Sequence, residues 1–408
     1  MPGSFRLRGC TCGKKRCVCG AKWYYRYSIT DPVTGKRKQK EVGGFILKSE
    51  AVAASVQIQA DLQTGTFVEE QNITFEKFAE EWKEYYASTG KVKISTVDVR
   101  QKEMKRIKSY MGGIKIKNIT RKQYQDMLND LKAKGLADNT IAGIHTTGRM
   151  IFKRAIELAI IKNNPTTHAT LPKTQPTVEE LEAKNELPKY LEKEELAFFL
   201  KTARCYGLDR DYAIFLTFAY TGLRLGELCA LKWSDIDFIE QTISVTKTYY
   251  NPTNKINAFK LLTPKTKSSR RVIDVDQLVL DELKNLRHEQ NKLKILHANT
   301  YYEKEQGFVF AQQKVNIGYP PHEKLISYRM KRLLKIAKLN FNLTPHSLRH
   351  THTSLMAEAE VSLEQIMSRL GHSNDNVTRN IYLHITKPRK KEASQKFAEL
   401  MKSLKFTN

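Results

Sequence analysis

Two arginines, a lysine, two histidines and a tyrosine are spread through the C-terminal half of the chain. They are Arg224 in TGLRLGE, Lys265 in TPKTKSSRR, His346 and Arg349 in TPHSLRHTHTS, and His372 and Tyr382 in LGHSNDNVTRNIYLH. As a set these groups can break a phosphodiester without a metal ion. A guanidinium offers phosphate oxygens a planar fork of donors and never loses its charge. Lysine and histidine move protons, and a phenol can attack phosphorus and hold the cut strand covalently. Each residue alone has an ordinary structural reading; the set in this order is informative.

The local contexts sharpen the roles. Glu227 lies one helical turn beyond Arg224, at i+3, where it can orient the guanidinium. Lys265 falls in a loop between two strand-like runs, among Lys267, Arg270 and Arg271. Neighbouring cations lower a lysine's pKa and make it a better acid, and Lys267 is the alternative for the same role. His346 and Arg349 are spaced to share a helix face, and Thr344-Pro345 marks the helix start, so both side chains are expected near its positive end. The spacing of His346 and His350 also suits a metal, but the glutamate of a zinc protease helix is missing. His372 follows Leu370-Gly371, with the glycine placed as a C-cap. A phenol with a pKa near 10 is a weak nucleophile, and surrounding cations favour its phenolate form.

The elements that must position these groups fall into segments. Residues 1–70 are strongly basic. KWYYRYSIT and KRKQKEVGGF read as strands about a DPVTGKR turn, followed by a helix with Ser49 as its N-cap. Lys22, Tyr24, Arg26, Lys36, Arg37, Lys38 and Lys40 are its candidate DNA contacts, joined by Lys267 and Arg270 further on. Residues 71–167 carry helical apolar stripes. One is Phe75, Phe78, Ala79, Trp82, Tyr85 and Tyr86; another is Ile141, Ile144, Gly148, Ile151, Ala155 and Leu158, stopped by Asn163-Asn164-Pro165. Residues 168–189 read as a proline-bearing linker. In residues 190–408, helical runs surround TISVTKTYY and RRVIDV, read as strands. The fold class is multidomain α+β: a small sheet with a helix, an all-α bundle, and a mainly α domain with a small antiparallel sheet. Phe397, Leu400, Met401 and Leu404 give an amphipathic tail helix.

Charge narrows the partner. The 408 residues hold 69 Lys+Arg against 43 Asp+Glu, a net +26, which points to a polyanion, most simply nucleic acid. No stretch approaches the roughly 18 apolar residues of a membrane span, and no apolar signal core opens the chain, so a cytoplasmic location is expected. The cysteines are too sparse for a disulfide framework, and Cys205 and Cys229 read as core residues. Cys10, Cys12, Cys17 and Cys19 form C-x-C-x4-C-x-C, four thiolates able to complete a tetrahedral zinc site; a reduced basic loop is the alternative.

TGLRLGEL, TPKTKSSRR, HSLRHTHTS, LGHS and the Tyr382-Leu383-His384 run resemble the tyrosine recombinases, specifically phage and conjugative-transposon integrases. The first two segments resemble, more weakly, the family's arm-binding and core-binding domains. The resemblance implies that Tyr382 attacks the scissile phosphate to form a 3′-phosphotyrosyl link. Arg224 and Arg349 would hold the non-bridging oxygens, and Lys265 would act as general acid. His346 would do acid–base work near Tyr382, and His372 would bond the phosphate. It implies no cofactor for the chemistry. It further implies arm and core sites on double-stranded DNA, four protomers about a Holliday junction, a tail helix docked on a neighbour, and an excisionase or host DNA-bending protein. A type IB topoisomerase-like strand transferase and a non-catalytic DNA-binding regulator are the alternatives.

Overall fold

The computed structural model describes residues 3–10, 12, 20–30, 35–63, 72–174, 190–264, 267–302, 307–372, 378–379 and 381–382. The chain divides into two compact units, Met1–Gln175 and Pro176–Asn408.

In the first unit, strands β1 (Ser4–Arg8), β2 (Lys22–Thr30) and β3 (Arg37–Phe45) pair antiparallel in the order β1-β2-β3. Strand β1 is absent from the sequence reading; SFRLR is five residues long and lies away from its partner, too short to declare itself by alternation. Helix α1 (Lys48–Gln63) packs on one face of the sheet. Tyr25, 1% exposed, anchors that contact, and its hydroxyl accepts from Gln59 Nε2 at 2.8 Å. Ser49 lies inside α1 and is not its cap. Glu50 instead turns back, its Oε2 accepting from the amides of Ile46 and Leu47 at 3.1 and 3.2 Å. A carboxylate in a first helical turn is doubly favoured, by those amides and by the positive end of the helix.

The rest of this unit is helical: α2 (Phe75–Ser88), α3 (Ile94–Met111), α4 (Arg121–Ala133) and α5 (Asp138–Glu157). Thr74 caps α2, and Thr120 with Gln123 forms a capping box on α4. Their apolar stripes meet in a core of Phe75, Phe78, Trp82, Ile107, Tyr124, Ile144, Ile151 and Phe152. Tyr85, expected in that stripe, is exposed and lies under Arg154, whose Cζ is 4.1 Å from the ring centroid. Helix α5 also ends earlier than Asn163-Asn164-Pro165. Ala159 turns left-handed (φ 51°), and Ile160 and Ala159 donate back to Ala155 and Ile156, both at 2.9 Å. This is a Schellman closure, and the burial of Ile160 (5% exposed) supplies its apolar contact.

The second unit opens with α6 (Lys193–Tyr206) and α7 (Asp211–Thr221). Helix α7 is apolar nearly all round and runs through the core. The short α8 (Leu225–Cys229) follows. Strands β4 (Ile236–Asp237), β5 (Thr242–Val245) and β8 (Arg271–Asp274) then form one antiparallel sheet, and β6 (Thr248–Tyr250) pairs with β7 (Lys260–Leu262) in another. TISVTKTYY is therefore two strands in separate sheets, divided at Thr246-Lys247, rather than one. Helices α9 (Gln277–Leu296), α10 (Glu323–Ile336), α11 (Pro345–Glu358) and α12 (Leu363–Leu370) complete the described residues. Helix α9 escaped the sequence reading. Its apolar stripe of Val279, Leu280, Leu283 and Leu286 is continued by a buried Gln290, which accepts from Trp233 Nε1 at 2.9 Å and donates to the Val309 carbonyl at 2.5 Å. Cys229 is a core residue as expected, but Cys205 is exposed: it sits in the last turn of α6, next to the exposed Tyr206.

Candidate functional site

Helix α7 stops at Gly222, which is left-handed (φ 60°); a Cβ there would lie 2.6 Å from His352 Cδ2, so only glycine fits. Two residues on, Arg224 is the N-cap of α8. Its amide donates to Glu227 Oε2 at 3.0 Å and its Nη1 to Oε1 at 2.7 Å, the i+3 partnership expected from the sequence. The Arg224 side chain keeps 35% exposure, while that of Glu227 keeps 3%. A second guanidinium reaches the same carboxylate from β8. Arg271 Nη2 lies 2.9 Å from Oε2 and Nη1 3.3 Å from Oε1. Its Nε donates to the Arg369 carbonyl at 2.6 Å and its Nη1 to that of Ser269 at 3.1 Å. Burial pushes the Glu227 carboxyl up, but the Arg271 hydrogen bond and charge, with help from Arg224, bring it below the ordinary glutamate value. The sequence reading missed Arg271 as a site residue. The signal that separates it from the exposed Arg270 is period two: Arg271 shares a face of β8 with the buried Ile273.

Helix α11 starts at the Thr344 cap with Pro345 in its first turn, as read. Arg349, 2% exposed, turns inward. Its Nη1 donates to the Gly222 carbonyl at 2.6 Å and its Nη2 to the Leu370 carbonyl at 2.7 Å. Those oxygens cap the C-terminal ends of α7 and α12, where two helix dipoles present negative charge. The sequence expectation that His346 and Arg349 project together is corrected here. His346 is exposed and meets the His350 ring edge-on at 4.7 Å, while the paired carbonyls draw Arg349 inside.

Helix α12 ends at Gly371, left-handed (φ 68°) as its C-cap role requires, and the His372 amide donates to the Met367 carbonyl at 2.9 Å. This pins the His372 backbone. Its Nε2 lies 2.5 Å from Arg349 Nη2. A guanidinium only donates, so Nε2 accepts and the imidazole proton sits on Nδ1, 2.9 Å from Thr378 Oγ1. Arg224 Nη2 reaches the Gly371 carbonyl at 3.4 Å. Both guanidinium groups thus end on one turn, Leu370–His372. Beneath it, His352 Nδ1 is 2.8 Å from the Ala219 carbonyl and Nε2 accepts from Arg369 Nε at 3.2 Å. Burial, with the Arg369 charge beside it, pushes His352 down to about 4. Tyr382 is half-buried, its ring packed on the cluster of Ala357, Ile366 and Leu370, the residue whose carbonyl holds Arg349.

Lys265 lies outside the described residues, as do Cys17, Cys19 and the tail helix. Lys267 begins a single 3-10 turn, Lys267–Ser269, before β8. Among the described residues no group of three or more His, Cys, Asp or Glu side chains is placed to hold a metal. Cys10 Sγ and Cys12 Sγ are 3.6 Å apart.

The basic strands of the first unit separate the remaining candidates by face. Strand alternation and register put Lys22, Tyr24, Arg26 and Arg37 on the face opposite α1, with Arg6 and Arg8 of β1 beside them. There Arg8 lies 5.2 Å from the Tyr24 ring centroid and bonds Glu41 at 2.6 Å, and Tyr24 covers Gly43, where any Cβ would strike the ring. Lys38 and Lys40 pair with Ile29 and Tyr27, on the side of Tyr25 that α1 packs against. Lys36 is exposed just before β3. Alternation thus divides the KRKQK run between the two faces of the sheet.

The chain matches the phage integrase family over residues 189–389, the N-terminal SAM-like domain of phage integrases over 74–132, and an arm DNA-binding domain over 19–62. It is 31% identical over 377 residues to the prophage ps2 probable integrase of Lactococcus lactis, covering 90% of this chain and 93% of the relative. It is 29% identical over 358 residues to the integrase of Staphylococcus phage L54a, covering 84% and 98%. In fold it is similar to the Tn1549 transposon integrase in complex with transposon right end DNA (TM-score 0.62, 22% identity, 80% of this chain and 100% of that one). It is also similar to a lambda integrase tetramer bound to a Holliday junction (TM-score 0.52, 21% identity, 88% and 92%). With such matches spanning the chain, and with its arginines and a late tyrosine gathered about one turn, the protein belongs to the phage integrase family and is a tyrosine-type site-specific DNA recombinase.

Proposed function

We propose that this recombinase integrates and excises a mobile element through a 3′-phosphotyrosyl intermediate, with Tyr382 as nucleophile. The observation that carries the reading is the convergence of Arg224 and Arg349 on the Leu370–His372 turn, against which the Tyr382 ring also packs. Tyr382 Oη bonds to phosphorus and gives up its proton, His346 serving as the nearby acid–base group. The 5′ oxygen leaves with a proton from Lys265. Arg224 and Arg349 bind the non-bridging oxygens and stabilise the charge that builds on them, and His372 joins them as a donor once its Nε2 is protonated and released from Arg349. The phosphodiester energy is kept in the new bond, so the chemistry draws on no cofactor. The test is a nicked duplex that carries the element's crossover site and loses its 5′ fragment after cleavage. Wild-type protein accumulates a covalent complex whose DNA-bound peptide contains Tyr382, and Tyr382→Phe binds the same DNA without forming it. A covalent complex of equal yield from Tyr382→Phe defeats the assignment, and relaxation without joining between two sites favours the topoisomerase alternative.

Residues 1–70 would bind distal arm sites, 71–167 and 190–408 would clamp the core site, and 168–189 would link them. The face carrying Lys22, Tyr24, Arg26 and Arg37 is the arm contact that strand register favours. Lys267 and Arg270 would touch the core DNA. Four protomers act together, the tail helix docking on a neighbour, with an excisionase or host bending protein setting direction, in the cytoplasm of the host. No described helix is long and apolar enough to cross a membrane. Cys10, Cys12, Cys17 and Cys19 would close a structural zinc turn. Two thiolates at about 2.3 Å from a tetrahedral ion stand about 3.8 Å apart, close to the 3.6 Å between Cys10 and Cys12. Zinc content of the full chain, with and without Cys17→Ser, decides this.

A further inference from the structure

Glu227 poses a problem for its neighbour. A buried carboxylate 2.7 Å from Arg224 Nη1 would, as a lone pair, cancel the positive charge that a phosphate needs. Arg271 alters that balance. It engages both Glu227 oxygens, at 2.9 and 3.3 Å, from a side chain only 6% exposed. Its Nε and Nη1 also bond the carbonyls of Arg369 and Ser269. The cluster of two guanidinium groups and one carboxylate carries a net single positive charge. Of the three, Arg224 is the one that keeps substantial exposure, at 35%, so the surplus charge faces outward through it. A planar guanidinium suits this place because it offers the carboxylate two parallel donors and still has edges for two carbonyls.

We infer that Arg271 is a positioning residue for strand cleavage: as the buried counter-ion of Glu227 it leaves the charge of Arg224 available to the scissile phosphate. Its second effect follows from the same hydrogen bonds. Arg271 ties the start of β8 to the last turn of α12, which leads into Gly371 and His372, so the two halves of the site share one clasp. The inference rests on Arg224 being a phosphate ligand.

The experiment uses the full chain on the nicked crossover duplex, measuring single-turnover covalent complex formation beside DNA affinity. Arg271→Gln is expected to slow cleavage about a hundredfold, the scale of losing a preorganised charge at a reacting phosphate, with affinity within about twofold. The double variant Arg271→Gln with Glu227→Gln is expected to recover at least about tenfold of that loss, because a neutral residue 227 no longer claims Arg224. A double variant as slow as the single one, or slower, means that Arg271 serves packing alone and overturns the inference. If Arg271→Gln does not fold, Arg271→Lys carries the test, keeping the charge without the fork. Cleavage within about tenfold of wild type supports the counter-ion role, and a loss equal to that of Arg224→Gln overturns it. Arg224→Gln is the control. If it cleaves at the wild-type rate, its assignment as phosphate ligand fails and the inference falls with it. If it is inactive while Arg271→Gln cleaves normally, the counter-ion role alone fails.

Discussion

Arg224 and Arg349 are assigned the same ligand, yet the protein holds them in opposite ways, and replacing each with glutamine separates their roles. Arg349 is 2% exposed and gives charge-assisted hydrogen bonds to two main-chain carbonyls, at 2.6 and 2.7 Å. Each such bond contributes about 1.5–3 kcal/mol, and carbonyls left buried without a donor cost a similar amount. Removing the desolvated charge returns part of this, and a glutamine amide can serve one carbonyl, so the net loss is about 3 kcal/mol. For a unit of this size, that lowers the melting temperature of the catalytic half by about 6–12 °C. Arg224 is 35% exposed, and Glu227 keeps Arg271 when Arg224 is replaced, so Arg224→Gln should cost under about 1 kcal/mol, or less than about 4 °C. Calorimetry of the full chain measures both variants, and the nicked-duplex assay should find both inactive. Equal melting shifts, or an Arg349→Gln protein that melts within about 2 °C of wild type, would refute the account of Arg349 as an internal strut.

Three further outcomes follow from particular contacts. His352 is buried and held neutral, its pKa lowered from 6.5 to about 4. The unfolded chain therefore takes up the proton first as pH falls, and stability is lost below about 6.5, by about 2 kcal/mol at pH 5. Denaturant titrations at pH 7.5 and 5 should show this slope in wild type and a shallower one in His352→Gln; identical slopes would remove His352 as its source. On the arm sheet, Arg26→Ala should reduce the salt dependence of arm-site binding by about one counterion, and Lys38→Ala by much less. A reversed order would place DNA on the α1 side. Gln290→Leu strands the Trp233 indole N–H and the Val309 carbonyl, and should cost about 2–4 kcal/mol in chemical denaturation. An unchanged midpoint would show that water replaces the amide.

The parts that sequence made legible are those where local chemistry and tertiary role agree. Thr74 begins a helix because its hydroxyl meets an amide that would otherwise lack a partner, Thr344 with Pro345 begins another where the Ser347 hydroxyl takes up the Thr344 amide, and Gly371 ends one because its φ is positive. Arg224 with Glu227 was readable because the pair is local. Arg271 was not, since its partners lie 44 and 98 residues away along the chain. The split of TISVTKTYY is equally non-local, because which strand pairs with which is settled by β7 and β8. Lys38 and Lys40 were legible as charges but not by face, because their register with β2 decides which side of the sheet each takes. The side on which His346 and Arg349 diverge depends on two helix ends brought together only by the fold.

Two of the three groups that hold Arg349 are main-chain oxygens, so that part of the clamp is indifferent to the side chains that carry them. Leu370 contributes its carbonyl whatever apolar group it bears, so a change of apolar side chain there leaves that hydrogen bond in place. The exceptions are His372, whose imidazole meets the guanidinium, and the two glycines at left-handed φ, Gly222 and Gly371, where a side chain would bend the path that aims those oxygens. Re-engineering the enzyme toward new DNA targets can therefore vary the apolar residues behind that clamp, provided the charged and imidazole groups of the site and the two bends that hold its inner arginine are kept.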